Sequence, residues 1–278
     1  MTAVLLATTC AVVYGAADFF GGFATKRSRV LAVVVVSQIT GLLFALPLLP
    51  LLPGAPSAAA LAWGMAAGMA GGIALVLFYR ALAGGVMSVV APTTATASAG
   101  LPVLAGLAMG ERPALLALCG VALALLAVIL VSRQAGDAEG GARLPTVMQA
   151  VASGLGFGLF FILLKQVPQE AGVWPLIGAR MVSVTAIALL ALTTRRPLRP
   201  GKGAMPAIVA AGVLDMAANV LYLLAAQRGL LVLVAVLVSL YPASTLLLAR
   251  YVLGERLSAV QAAGVGLALG AVALIATA

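Results

Sequence analysis

The chain reads twice. The stretch GERPALLALCGVALALLAVIL at residues 110–130 returns as GERLSAVQAAGVGLALGAVAL at 254–274, a shift of 144, with 11 of 21 positions identical. Each copy closes a block of five apolar segments. Five membrane crossings are an odd number, so a second block in tandem begins on the opposite face and runs inverted. Two-fold pseudosymmetry of this kind belongs to proteins that move something across a bilayer. Weaker echoes keep nearly the same offset. Gly15-x-x-x-Phe19-Phe20 matches Gly156-x-x-x-Phe160-Phe161, and Ala67-Gly68 matches Ala211-Gly212.

A membrane is also what the composition demands. Of 278 residues, 64% are hydrophobic and 8% charged, and the mean hydropathy is +1.20. A water-soluble domain of this length has too little interior to hide that much apolar surface. At about 20 apolar residues per crossing, ten segments qualify, near 2–22, 30–50, 58–79, 86–109, 113–132, 145–165, 172–192, 204–226, 229–250 and 258–277. The expected fold is therefore an all-α polytopic membrane protein of ten transmembrane helices in two inverted five-helix repeats. The first repeat covers 1–132 and the second 145–278. Between them, 133–144 reads as a hydrophilic linker containing Gln134, Gly136, Asp137, Glu139, Gly140 and Gly141.

The net charge of +9 reflects topology rather than nucleic-acid binding. Twelve Lys and Arg residues fall in connections 1–2, 3–4, 5–6, 7–8 and 9–10, against three (Arg112, Lys165 and Arg228) in the others. The positive-inside rule then places both termini outside, with a bacterial cytoplasmic (inner) membrane as the expected location. Trp63 and Trp174, toward span ends on one side, suit interfacial anchoring. The chain has no histidine, its two cysteines (Cys10 and Cys119) carry no metal spacing, and no Walker-type loop occurs. We therefore expect no enzyme activity, metal, cofactor or direct ATP drive. The expected partners are a small-molecule substrate and membrane lipids, and a monomer is compatible with this reading.

Charged residues inside spans cost several kcal/mol unless paired or hydrated, which makes them the natural site candidates. Asp18, Arg180 and Asp215 stand out. Arg180 lies about 12 Å into the seventh span and Asp215 about 16 Å into the eighth from the opposite face. In a core of about 30 Å those depths nearly coincide. They could pair permanently, or could bind a zwitterionic solute. Asn219 follows Asp215 by four residues and shares its helical face. Asp215 or Asp18 could take a coupling proton, although Asp18, close to Lys26-Arg27-Ser28-Arg29, could equally be a hydrated interfacial acid. Tyr14, Phe157 and Tyr241 fall near mid-span, where they could line an apolar pocket or pack against neighbours. With 5% aromatic residues, a large aromatic cage is not expected. Pro92 and Pro102 should kink the fourth span and Pro242 the ninth, as bending elements of a gate or as static kinks. Glycines of the third and tenth spans (Gly64, Gly68, Gly71, Gly72; Gly264, Gly266, Gly270) read as close-packing surfaces. Glu111 and Glu255 each precede a helix, where a first-turn acid suits the positive helix end.

Ten spans, two five-span halves, Gly110-Glu111-Arg112, and Tyr241-Pro242-Ala243 followed by Leu253-Gly254-Glu255-Arg256-Leu257-Ser258 resemble the EamA family of the drug/metabolite transporter superfamily. The likeness runs over nearly the whole chain. It departs in Pro92 and Pro102, where one proline placed as Pro242 is would be usual, and in the termini, which relatives are drawn with on the cytoplasmic side. The resemblance implies a central cavity lined chiefly by spans 1, 3, 4, 6, 8 and 9, with 5 and 10 peripheral. It also implies a secondary transporter exporting small metabolites, amino acids foremost, by alternating access. The alternative is a channel-like facilitator or an exporter of drug-like or other small organic solutes.

Overall fold

Every described apolar segment is helical in the computed structural model, which describes residues 1–84, 87–132, 144–195, 197–253 and 258–278. Hydrocarbon offers the backbone no hydrogen-bond partners, and a helix satisfies its own N–H and C=O groups internally. In chain order the helices are α1 (Thr2–Thr25), α2 (Val30–Ala45, prolonged by a 3-10 turn to Leu48), α3 (Ala58–Gly84), α4 (Met87–Ala108), α5 (Leu115–Ser132) and α6 (Leu144–Lys165). Then come α7 (Trp174–Thr193), α8 (Met205–Arg228), α9 (Leu231–Val238), α10 (Tyr241–Leu253) and α11 (Ala259–Thr277). Among the described residues, eight helices are long and apolar enough to cross a membrane, with α9 and α10 counted as one span, and two shorter apolar helices lie in α4 and α5. The linker at 133–143 and the second Gly-Glu-Arg, including Glu255, lie outside the described residues. Leu5, Leu104, Leu115, Leu192 and Leu269 are each at least two-thirds exposed, an outer surface suited to lipid rather than water.

The ninth segment is two helices rather than one. Pro242 has no N–H to give, and its ring crowds the carbonyl of Val238 four residues back. The chain tightens there, with Leu240 N–H bonding Leu237 O at 3.2 Å and Ala243 N–H bonding Leu240 O at 3.0 Å. Ser244 and Thr245 hydroxyls turn back onto the Tyr241 carbonyl at 2.8 and 3.2 Å. By contrast, α4 runs unbroken through Pro92 and Pro102. The Pro92 side chain lies outside the described residues.

Packing brings distant helices side by side. α1 lies along α8, α3 along α6 and α7, α4 along α6, and α5 along α11, while α2 sits against α7 and α8. Glycines set the α3–α7 approach. A Cβ on Gly64 would strike the Pro175 backbone, one on Gly68 the Ala179 backbone, and one on Gly72 would lie 2.9 Å from Ser183 Cβ. The α11 glycines do not all act this way. Gly266 faces open space and Gly270 meets only Leu123, at 3.5 Å.

The connections sort to two ends. Ala55 N–H bonds Glu170 O at 2.9 Å and Trp174 Nε1 donates to Gly54 O at 3.2 Å, joining connections 2–3 and 6–7. Gly201 N–H bonds Ser28 Oγ at 3.0 Å, joining 1–2 and 7–8 at the other end. Glu111 corrects the sequence expectation. Its carboxylate caps α9, 120 residues away, through Leu231 and Val232 N–H groups, and not the helix that follows it. α11 is capped instead by Ser258 and Gln261 in a reciprocal box.

Candidate functional site

A cavity of about 710 Å³, its mouth included, occupies the centre of the bundle at mid-depth. Its wall takes Tyr14 and Asp18 from α1, Gln38 from α2, three glycines from α3, Ser98 from α4, and Phe157, Phe160 and Phe161 from α6. α7 adds Arg180 and Ser183, α8 adds Asp215 and Asn219, and Tyr241 opens α10. No described residue of α5 or α11 reaches the wall. Spans 1, 3, 4, 6, 8 and 9 all contribute, and α2 and α7 contribute as well, which the resemblance alone did not imply.

Polar side chains form one continuous chain across four helices. Arg180 donates through Nη1 to Gln38 and pairs through Nη2 with Asp215. Asn219 Nδ2 reaches Asp215 Oδ2 at 3.2 Å and the Asp215 carbonyl at 2.7 Å. Tyr14 donates its hydroxyl to Asn219 Oδ1 at 2.9 Å. Ser183 closes the other end, donating to Gln38 Oε1 at 3.1 Å. Arg180 is 7% exposed, and Gln38, Ser183 and Asn219 are less so. A guanidinium this deep in a bundle needs both its opposite charge and its hydrogen bonds. Gln38 and Asp215 together supply them. The Asp215 side chain stays 23% exposed to the cavity.

Tyr14, Asp18, Phe157, Arg180, Asp215, Asn219 and Tyr241 thus share one cavity wall. Pro102 and Pro242 do not line it. Phe157 packs edge-on against Phe78, centroids 6.1 Å apart. Tyr241 donates to Ala91 O at 3.1 Å, tying α10 to α4. Asp18 sits four residues after Tyr14 and so on the same face of α1, one turn nearer the Lys26–Arg29 end. It lines the cavity. Sequence reasoning missed Gln38 and Ser183. Their signal was a polar side chain inside an apolar run, Val33 to Ile39 for Gln38, where lipid would leave an amide unsatisfied. It also underrated the aromatics, because low content did not prevent Tyr14, Phe157, Phe160, Phe161 and Tyr241 from converging on one wall.

Residues 144–277 match the model of the EamA-like transporter family. The second half of the chain belongs to that family. A solved structure described only as "Crystal structure of protein" shares the whole fold, with a TM-score of 0.76 over 99% of this chain and 98% of that one. At 19% identity that likeness speaks for architecture alone. No curated protein matches the chain at significant similarity. The EamA-like half supplies α6 to α11, hence the aromatic wall and the Arg180–Asp215 pair. The other half supplies Tyr14, Asp18 and Gln38. An EamA-like transporter with membrane-spanning helices is an integral membrane protein that carries small solutes.

Proposed function

We propose that this protein is a secondary transporter that exports small metabolites, amino acids foremost, across a bacterial cytoplasmic membrane by alternating access. The moving bodies are two inverted five-helix halves, residues 1–132 and 145–278, joined by 133–144. The observation that carries the reading is the mid-depth cavity walled by both halves, with a buried charge pair on one side and aromatic rings on another. The packing supports a two-fold relation between the halves. Adding five to each span number turns the α1–α8 contact into the α6–α3 contact and the α3–α7 contact into α8–α2, and it maps the α5–α11 contact onto itself. A rocking motion about that pseudo-axis would open the cavity to each face in turn. The 12-to-3 bias in Lys and Arg supports termini outside.

Counterflow in proteoliposomes tests this. Vesicles loaded with an unlabelled amino-acid mixture should accumulate labelled phenylalanine or leucine transiently, with saturation. Flux that rises linearly with concentration, with no counterflow overshoot, would replace the carrier with a pore.

A further inference from the structure

We propose that the cavity recognises its solute through an ammonium group held by Asp18, with the apolar body of the solute against the α6 aromatics, and that a carboxylate on the solute weakens binding. This rests on the transporter reading above and, among small metabolites, moves the favoured class from amino acids to aromatic amines.

The inference comes from the charges lining the cavity. The described lining residues carry three: Arg180, Asp215 and Asp18. Arg180 and Asp215 cancel, and both are already engaged, Arg180 by Asp215 and Gln38, Asp215 by Arg180 and Asn219. Asp18 is different. It forms no ion pair and accepts no hydrogen bond from a described residue. Whenever Asp18 is ionised, the wall carries one uncompensated negative charge, and a buried charge of that kind calls for a cationic partner. No described side chain provides that partner, and an ammonium group on a bound solute can.

The surroundings fit an organic cation better than a metal ion. Phe157, Phe160 and Phe161, with Tyr14 one turn from Asp18, present rings to the same space. Ring faces attract ammonium groups and bury apolar bodies. No group of three or more His, Cys, Asp or Glu able to hold a metal occurs among the described residues. A solute carboxylate, by contrast, has no free cation to meet among the described lining residues. It would have to compete for Arg180 with Asp215, which is tethered beside it and so present at a high effective concentration. A simple arylalkylamine pays no such penalty.

Equilibrium binding of tritiated phenethylamine and of tritiated L-phenylalanine to the purified full-length protein in detergent tests the idea. Wild type should bind the amine at least tenfold more tightly than the amino acid. Asp18→Asn should weaken the amine at least tenfold with an unchanged melting temperature, and Asp18→Glu should restore most of the binding. Equal or tighter binding of phenylalanine by wild type overturns the proposal without any variant. So does amine binding that survives Asp18→Asn, which would leave Asp18 to a proton. Saturable phenylalanine counterflow with no amine binding sinks this inference and leaves the transporter standing. Unsaturable flux of every solute removes both.

Discussion

Glu111 and Leu231, 120 residues apart in the chain, are joined by a 2.7 Å hydrogen bond from the Leu231 backbone N–H to the Glu111 carboxylate. The second carboxylate oxygen takes Val232 N–H at 2.9 Å. Nearby, Lys165 Nζ donates to Ala226 O and Gly229 O at 2.6 and 2.7 Å. A carboxylate thus holds the positive start of α9 and an ammonium the negative end of α8, each charge where the helix dipole favours it. The tight connection between α8 and α9 is pinned from the α4–α5 connection on one side and from the end of α6 on the other.

Removing that clamp should loosen the bundle. Glu111→Ala leaves two helix-end N–H groups without their acceptor and should cost about 1–2 kcal/mol. Glu111→Gln keeps one neutral acceptor and should cost less. Thermal unfolding in detergent ranks the two variants against wild type. Identical midpoints for all three would show that the clamp contributes nothing.

The Arg180–Asp215 pair predicts an asymmetry between single and double variants. Arg180→Leu strands Asp215 and frees Gln38 in the interior, and should destabilise by about 3–5 kcal/mol. Removing both charges, as Arg180→Leu with Asp215→Leu, should recover much of that loss. Lysine cannot replace Arg180, because a single ammonium does not span Gln38 and Asp215 as a guanidinium fork does. Denaturant titration of the four proteins forms the double-mutant cycle, and strictly additive losses would refute the coupling.

The α3–α7 seam predicts where small residues are obligatory. Gly68→Leu drives a side chain into the Ala179 backbone and should abolish the folded bundle. Gly266→Leu meets open space on α11 and should be silent. Gel filtration in detergent separates folded from aggregated protein for each variant. Two silent variants would mean the seam tolerates separation.

Pro242 predicts a trade between stability and turnover. Pro242→Ala restores the N–H that the Val238 carbonyl lacks, so α9 and α10 can close into one helix. The melting midpoint should hold or rise while counterflow slows several-fold. Unchanged turnover would mark the break as a static feature. Tyr241, at the break, tethers it to α4 through Ala91.

How much of this was legible in the sequence follows from the distance over which each interaction acts. Helix positions were legible because a bilayer fixes span length and apolar composition locally. The segment read at 58–79 became Ala58–Gly84 and the one at 172–192 became Trp174–Thr193. The break in the ninth span was half legible, since proline chemistry is local but the two-helix outcome depends on Ser244 and Thr245 satisfying Tyr241. The matching depths of Arg180 and Asp215 were legible from helix rise alone. Gln38 as the second partner of Arg180 was not, because nothing in a sequence says which face of α2 meets α7.

The sequence by itself determined a helical membrane bundle, its approximate spans, and the rare polar side chains that such a bundle must gather inside. Those follow from the cost of exposing backbone and charge to hydrocarbon, which every segment meets on its own. Only the tertiary structure decided that Glu111 serves α9 rather than its own successor, that five aromatic residues share one wall, and that Arg180 is fully engaged while Asp18 is not. Those outcomes depend on which helices lie side by side, and that is set by the close fit of glycine faces and side-chain shapes between segments far apart in the chain.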